Sequence, residues 1–409
     1  PPGTGKTAVA AAIVEAWLRQ DPETPILVAT GTHTAKDLIA RRLRGAGIRI
    51  ADRRKKARGQ SPVYVETVYM AAEPAGRRLP RVLIDESTQI TEASALVALG
   101  QGCERLVLIG DPQQLGPVST LGSPSRDASP YALECGSFYE AMYRRHRVEP
   151  VLLDMQYRMA PPLRRYPAER FYGGRLVDGN PRGDFALPAA GLFSSSNPLV
   201  FLDTGDCEDA HDEVVFGTRS RRNRLEAAVV EGVVRELLAA DVEAGSIGVL
   251  TSYSGQRDHI CQMLHPGLPA GTAYRRLAAR SERLLMGDRL RDEPHPQTHT
   301  VDGFQGCERD FVIVSAVVAR PAGSSVDEGL LGNGSDIRAI VPGTPGCGFI
   351  GDRRRVCVVL TRARRGLVVV GHGPLLRMDE EWGSWLRDAH PQRICAATFL
   401  GLPHGGSKK

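Results

Sequence analysis

The stretch PPGTGKT (residues 1–7) decides the fold. Its glycines let backbone N–H groups approach an anion without a Cβ clash. Lys6 can reach the outer phosphates of a nucleoside triphosphate, and the Thr7 hydroxyl can ligate Mg2+. Gly3, Thr4, Gly5, Lys6 and Thr7 are therefore the candidate nucleotide-binding set. The apolar run from Ala8 predicts a helix whose positive end faces the anion. A loop of this kind hangs between a buried strand and a helix. The sequence carries no strand ahead of it.

A matching partner lies downstream. LIDES (residues 83–87) places Asp85 and Glu86 at the C-terminal end of a buried strand. Ligands sit at such strand ends in open α/β sheets. Asp85 would hold Mg2+ through water, and Glu86 would polarise an attacking water. An acidic pair after a strand is common and usually just solvated. Together with the loop it points to an ATPase or a GTPase.

Uniformly apolar runs at residues 25–30, 81–86 and 105–110 form one set, and runs at 246–253, 311–318 and 366–372 a second. Such runs suit strands buried on both faces of a parallel sheet. Helical patterns at 8–19, 34–45 and 223–239 alternate with them, which predicts βαβ units and an α/β class. A Gly-, Pro- and Ser-rich stretch at 174–197 separates the sets. Two domains are expected, 1–150 and 151–376. The second carries insertions near 270–296 and 321–348, and residues 377–409 follow as a C-terminal helix and tail.

A chain of 409 residues exceeds what one core organises. Its apolar share of 42% and charged share of 24% fit a globular protein and exclude a disordered one. The net charge of +5 permits a polyanionic partner without arguing for one. Eight scattered cysteines form no CxxC pair, so neither a zinc site nor a disulfide frame is expected. No apolar run reaches the roughly 18 residues of a spanning helix, so no membrane association and a cytoplasmic or nuclear place are expected.

Further motifs follow in order: LIGDPQQLGPV (108–118), LLDMQYRMAPPL (152–163), TSYSGQ (251–256), TVDGFQGCERDFVIVS (300–315) and VVLTRARRGLVVVGH (358–372). In this order the set resembles superfamily 1 helicases. IDESTQ (84–89) resembles in particular the branch that holds the up-frameshift helicase of nonsense-mediated mRNA decay. The similarity runs from residue 1 to about residue 390. It implies two tandem RecA-like domains of the P-loop NTPase class, with ATP and Mg2+ bound in the cleft between them. By motif, Gln114 would contact the γ-phosphate and couple it to domain closure. Tyr157 would stack on adenine, and Arg158 would reach the phosphates. Arg362 is similar to the main arginine finger, and Glu308 would lie near the nucleotide. The same roles make physical sense, because phosphoryl transfer needs cations placed on the developing charge. Read alone, Arg158 and Arg362 would pass for surface arginines.

The resemblance also implies a single strand crossing the tops of both domains. GTHTAKD (31–37), VETVY (65–69), TSYSGQ and THTVD (298–302) supply hydroxyls there, which suit sequence-independent phosphate contacts. Thr32, Thr67, Thr251 and Thr300 are the candidates, although each residue type also serves turns and caps. Basic stretches at 53–58 and 275–291 would add salt-dependent affinity.

The sequence departs from the family in several places. Gly31–Thr34 replaces a proline-serine-asparagine type of turn. DRRRVCVV (352–359) lacks the asparagine expected near Cys357. Only residues 50–62 stand where the family has an accessory insertion. The upstream adenine-reading glutamine, accessory β-barrel and helical stalk are also lacking, as is a Cys/His-rich regulatory domain.

Three functions compete. The first is an ATP-dependent helicase or translocase on single-stranded RNA or DNA, moving 5′ to 3′, monomeric and open to regulatory protein partners. The second is a nucleic-acid clamp or remodelling ATPase with little unwinding. The third is an inactive fragment. A truncated chain is also expected, because without a strand before the loop the neighbours near Leu83 and Leu108 would lose ladder partners, at about 1–3 kcal/mol per buried unpaired group.

Overall fold

The computed structural model describes residues 1–51, 62–71, 78–117, 136–180, 185–189, 191–194, 197–207, 209–218, 220–265, 296–319 and 347–402. The insertions expected near 270–296 and 321–348, and the basic stretches at 53–58 and 275–291, lie almost wholly outside them. The chain divides into two units, Pro1–Tyr157 and Arg158–Lys409.

In the first unit, helix α1 (Lys6–Gln20) leads to strand β1 (Ile26–Thr30), helix α2 (His33–Gly45) and strand β2 (Val63–Thr67). Strand β3 (Arg81–Asp85), helix α3 (Glu92–Leu99), strand β4 (Arg105–Leu108) and helix α4 (Phe138–Arg145) follow. The sheet runs β2-β1-β3-β4 and every pairing is parallel. All residues of β1, β2 and β3 are buried. Their apolar runs split by period two between the faces. Ile26, Val28 and Leu83 pack with Ala10, Val14 and Leu43 of α1 and α2. Leu27, Ala29, Val82 and Ile84 pack with Ala95 and Ala98 of α3.

Leu83 is paired on both sides, with Val28 and Val107, so the ladder loss expected there does not occur. The reason is topological: β3 is an interior strand. Strand β4 pairs only with β3 among the described residues, and it is less buried than the other three.

The second unit opens with helix α5 (Pro161–Tyr172), flanked in the chain by strands β5 (Met155–Gln156) and β6 (Val177–Asp178), of which β5 still belongs to the first unit. Strand β7 (Leu199–Asp203) precedes a short hairpin, β8 (Glu213–Val214) and β9 (Arg221–Arg222). Helix α6 (Arg224–Ala239), strand β10 (Ile247–Thr251), helix α7 (Ser254–Leu264), strand β11 (Gln297–Thr300), strand β12 (Arg309–Ser315) and strand β13 (Ala363–Gly371) follow. Strand β14 (Gln392–Cys395) completes a parallel sheet ordered β11-β10-β12-β13-β7-β14. The apolar face of α6, including Val230, Val233 and Leu237, packs on Val249, Ile313 and Val368.

Residues 392–395, expected as tail, instead extend this sheet beside β7. Strands β2, β7, β11 and β14 lie outside the apolar runs read from the sequence. QTHT (297–300) has no apolar residue, so it carries no strand signal of its own; its pairing with β10 makes it one.

Candidate nucleotide site and nucleic-acid face

Gly3 (φ 72°) and Gly5 (φ 80°) both take the left-handed conformation. Glycine alone adopts it cheaply. Gly5 caps α1 without a side-chain hydrogen bond, so first-turn N–H groups remain for an outside acceptor. Ala8 and Val9 N–H groups both donate to the Gly5 carbonyl, at 2.8 and 3.0 Å, closing the loop onto the helix. The Lys6 ammonium folds back to donate to the Pro1 carbonyl at 3.0 Å, and the Thr4 hydroxyl does the same at 2.9 Å.

Asp85 ends β3, near enough to feel the Lys6 charge, and is 4% exposed. Burial, then the neighbouring Glu86 charge, pushes its carboxyl up to about 7, against the pull of the Glu86 N–H and of Lys6. The Glu86 N–H donates to Asp85 Oδ1 at 3.0 Å. Glu86 itself has φ 51°, in the left-handed region. That conformation costs a non-glycine residue about 1–3 kcal/mol. Strain of this kind clusters at functional sites, and here it redirects the chain between the two carboxylates.

The next loop is tied to the same place. Ser87 donates through both N–H and hydroxyl to the Ile109 carbonyl, each at 2.8 Å. The Gln114 amide donates to Asp111 Oδ2 at 2.7 Å, and both residues are buried. Tyr157 donates from its backbone to the Gly3 carbonyl at 2.9 Å, while its ring is 59% exposed. The ring expected to stack on adenine is thus anchored to the loop expected to hold the phosphates.

The arginine cluster belongs to the second unit. Arg158 Nε donates to Glu308, and its Nη1 donates to the Thr361 carbonyl at 3.0 Å. Arg364 reaches the other Glu308 oxygen at 3.0 Å. Burial works to raise the Glu308 carboxyl, but the Arg158 and Arg364 guanidiniums outweigh it and hold the carboxyl below its usual range. Arg362 is 1% exposed and donates to the Val358 carbonyl (3.0 Å), the Cys307 carbonyl (3.3 Å) and the Thr361 hydroxyl (3.1 Å). Two guanidiniums thus hold Glu308, and the Arg362 charge acts on it from nearby, while Arg364 also reaches Asp310 at 3.7 Å. The cluster sits where β12 and β13 begin, since Arg309 pairs with Ala363. Arg364 was missed by sequence reasoning; its place two residues after Arg362 in LTRARR was the available signal.

The four threonines lie at or just past the C-terminal ends of their strands, with Thr30 opposite Thr67 and Thr251 opposite Thr300. Their surfaces differ. Thr32 is exposed and caps α2, its hydroxyl accepting from the Ala35 N–H at 3.2 Å. Thr300 is half-buried and accepts from the Gly303 N–H at 3.3 Å. Thr67 is 3% exposed, and Thr251 is fully buried with its hydroxyl accepting from the Tyr253 N–H at 3.4 Å. Thr67 and Thr251 are thus buried in this conformation, whereas Thr32 and Thr300 keep exposed surface.

Among the described residues, no helix is long and apolar enough to cross a membrane, and no group of three or more His, Cys, Asp or Glu residues is placed to hold a metal.

Comparison with known proteins agrees with this layout. Two family models, each described as an AAA domain, match residues 67–120 and 136–374. The chain is 29% identical over 443 residues to Regulator of nonsense transcripts 1 of Caenorhabditis elegans, covering 93% of this chain and 37% of that protein. It is 32% identical over 309 residues to the Neurospora crassa homolog of that regulator, covering 74% and 23%. It is 31% identical over 312 residues to ATP-dependent helicase NAM7 of Saccharomyces cerevisiae, covering 75% and 26%. The chain thus spans less than two fifths of the length of these relatives. The parallel sheets, the glycine loop and these matches together show tandem RecA-like P-loop architecture, and the chain belongs to the AAA-domain family, with similarity over most of its length to up-frameshift-type helicases.

Proposed function

We infer that the chain is an ATP-dependent helicase or translocase on single-stranded RNA or DNA. It moves 5′ to 3′, works as a monomer open to regulatory protein partners, and acts in the cytoplasm or nucleus. The observation that carries this reading is the buried Asp85 carboxyl, with Glu86 next to it, beside a glycine-lined helix start that no side chain caps. Lys6 and the loop N–H groups bind the triphosphate, and Gln114 senses its end. Glu86 holds the attacking water, while Arg158 and Arg362 stabilise charge on the transferred phosphoryl group as the units close.

The residues present fit Mg2+. Thr7 and Asp85 offer hard oxygen donors. A buried carboxyl raised to about 7 is one that a cation would stabilise in its charged form. No cluster of three acidic or other metal-binding side chains stands among the described residues. Water and phosphate oxygens would fill the remaining positions, the usual manner for Mg2+ in such sites. When bound, Mg2+ neutralises charge between the outer phosphates.

Among the four threonines, the contacts to the strand are assigned to Thr32 and Thr300, which keep exposed surface. The test is an ATPase assay with and without Mg2+, single-stranded RNA and single-stranded DNA. The expected result is metal-dependent hydrolysis that rises on adding a polynucleotide. Hydrolysis indifferent to every polynucleotide would overturn the motor reading.

A further inference from the structure

The β8–β9 hairpin presents an aromatic side chain to solvent. Phe216, at its tip, is 90% exposed, and Val214 two residues before it is 54% exposed. Burial of a phenylalanine is favourable, so leaving one bare forgoes that gain unless a ligand covers it.

The hairpin is also held firmly for its size. Two-stranded ribbons are marginal alone. Here the Val215 N–H donates to the Ser220 carbonyl across the turn at 2.9 Å. Arg221 pairs with the buried Asp212, whose Oδ1 also accepts from the Ala319 N–H at 3.1 Å. Arg222 and Arg224 both reach Glu213 at 2.7 Å. The Ser220 hydroxyl accepts from the Gly255 N–H at 2.8 Å, which ties the hairpin to the first turn of α7. A Cβ on Gly255 would meet Val215 at 2.6 Å, so that glycine is what lets the hairpin lie against the helix. These bonds tie the base of the hairpin to the first turn of α7.

Its position is informative. Helix α7 follows the C-terminal end of β10, and Thr300 ends the neighbouring strand β11. The hairpin thus stands at the same end of the sheet as Thr300, whereas the arginine cluster stands where β12 and β13 begin. Its charge is suited to a polyanion: Arg222 and Arg224 share the one carboxylate of Glu213, which leaves a positive charge over.

We propose that the β8–β9 hairpin is a contact element for single-stranded nucleic acid, with Phe216 stacking on a base and Arg222 and Arg224 meeting the backbone. The proposal rests on the reading of the chain as a nucleic-acid motor and assigns it a residue outside the family motifs. Stacking on an aromatic is tolerant of base identity, which suits a protein that tracks a strand without reading it.

Phe216→Trp supplies the probe, since the three native tryptophans, Trp17, Trp382 and Trp385, are all buried. Titration of this variant with oligo(dT) and oligo(rU) should quench its exposed indole saturably. Phe216→Ala should weaken oligonucleotide binding by about 5- to 150-fold. Its ATPase rate without polynucleotide should stay at the parent value. Should the parent bind oligonucleotide, the indole stay unquenched and Phe216→Ala bind like the parent, the assignment of the hairpin is wrong, and a protein partner becomes the alternative cover for Phe216. Absence of any binding by the parent would remove the motor reading itself, and this assignment with it.

Discussion

The two units gather their candidate site residues at opposite ends of similar parallel sheets. In the first unit, Asp85 and the loop carrying Asp111 and Gln114 follow the C-terminal ends of β3 and β4. In the second, Arg158, Glu308 and Arg362 gather where β12 and β13 begin. The first site is built from short contiguous pieces, a glycine loop and a carboxylate pair. The second joins Arg158 to Glu308 across 150 residues and to Thr361 across 203. The first offers backbone N–H groups, whose direction the fold fixes. The second relies on side-chain cations, which need packing to hold them. The difference teaches that a phosphate cradle is a local property of the chain, while an arginine cluster is a property of the sheet that assembles it.

The comparison breaks first at Arg362. Arg362→Ala should lower turnover by about 10³–10⁵, while nucleotide binding stays within a few-fold. Because Arg362 also ties Val358, Cys307 and Thr361 together, the melting temperature must be read alongside the rate. A stable variant turning over at the parent rate would show that the second cluster is structural only.

Asp85 gives the next effect. Its carboxyl is pushed up to about 7, and it must be charged to hold a cation. Binding of Mg2+ with nucleotide should therefore tighten as pH rises toward that value, by about tenfold per unit, and level off above it. Isothermal titration on both sides of neutrality measures this. Asp85→Asn should bind weakly at every pH and show no such slope; an equal slope in the variant would assign the titration elsewhere.

The smallest effect concerns Glu226 in the second unit, fully buried at the start of α6. Its Oε2 accepts from the Ser315 hydroxyl at 2.6 Å and the Val317 N–H at 2.8 Å. Burial pushes its carboxyl up to about 8 from an ordinary 4.5. Between these values the folded state binds the extra proton, so stability falls as pH rises through that window. Glu226→Gln should flatten this part of the melting-temperature profile and melt higher than the parent in alkaline buffer. Matching profiles would mean that Glu226 does not titrate there.

Much of the first unit was legible because its signals are short and chemical. Glycine at positions 3 and 5 reports left-handed backbone, and Asp85–Glu86 after an apolar run reports a strand end. Arg158 and Arg362 were legible only through family likeness, since nothing in an isolated arginine distinguishes a buried cluster from a solvated surface. The threonines show the limit from the other side. The same residue type at the same kind of strand end is exposed at Thr32 and fully buried at Thr251, because neighbouring packing decides which hydroxyl sees solvent.

The sequence by itself determined the class of fold, the phosphate loop and the acidic pair, because these depend on backbone freedom and on residues close in the chain. Tertiary structure decided that Leu83 lies on an interior strand and that the polar QTHT is also a strand. It decided that residues 392–395 close a sheet rather than trail from it, and that Arg364 joins Arg158 at Glu308. Each of these depends on which segments become neighbours. Pairing between distant strands is set by the summed burial of whole faces, a quantity no short stretch of sequence contains.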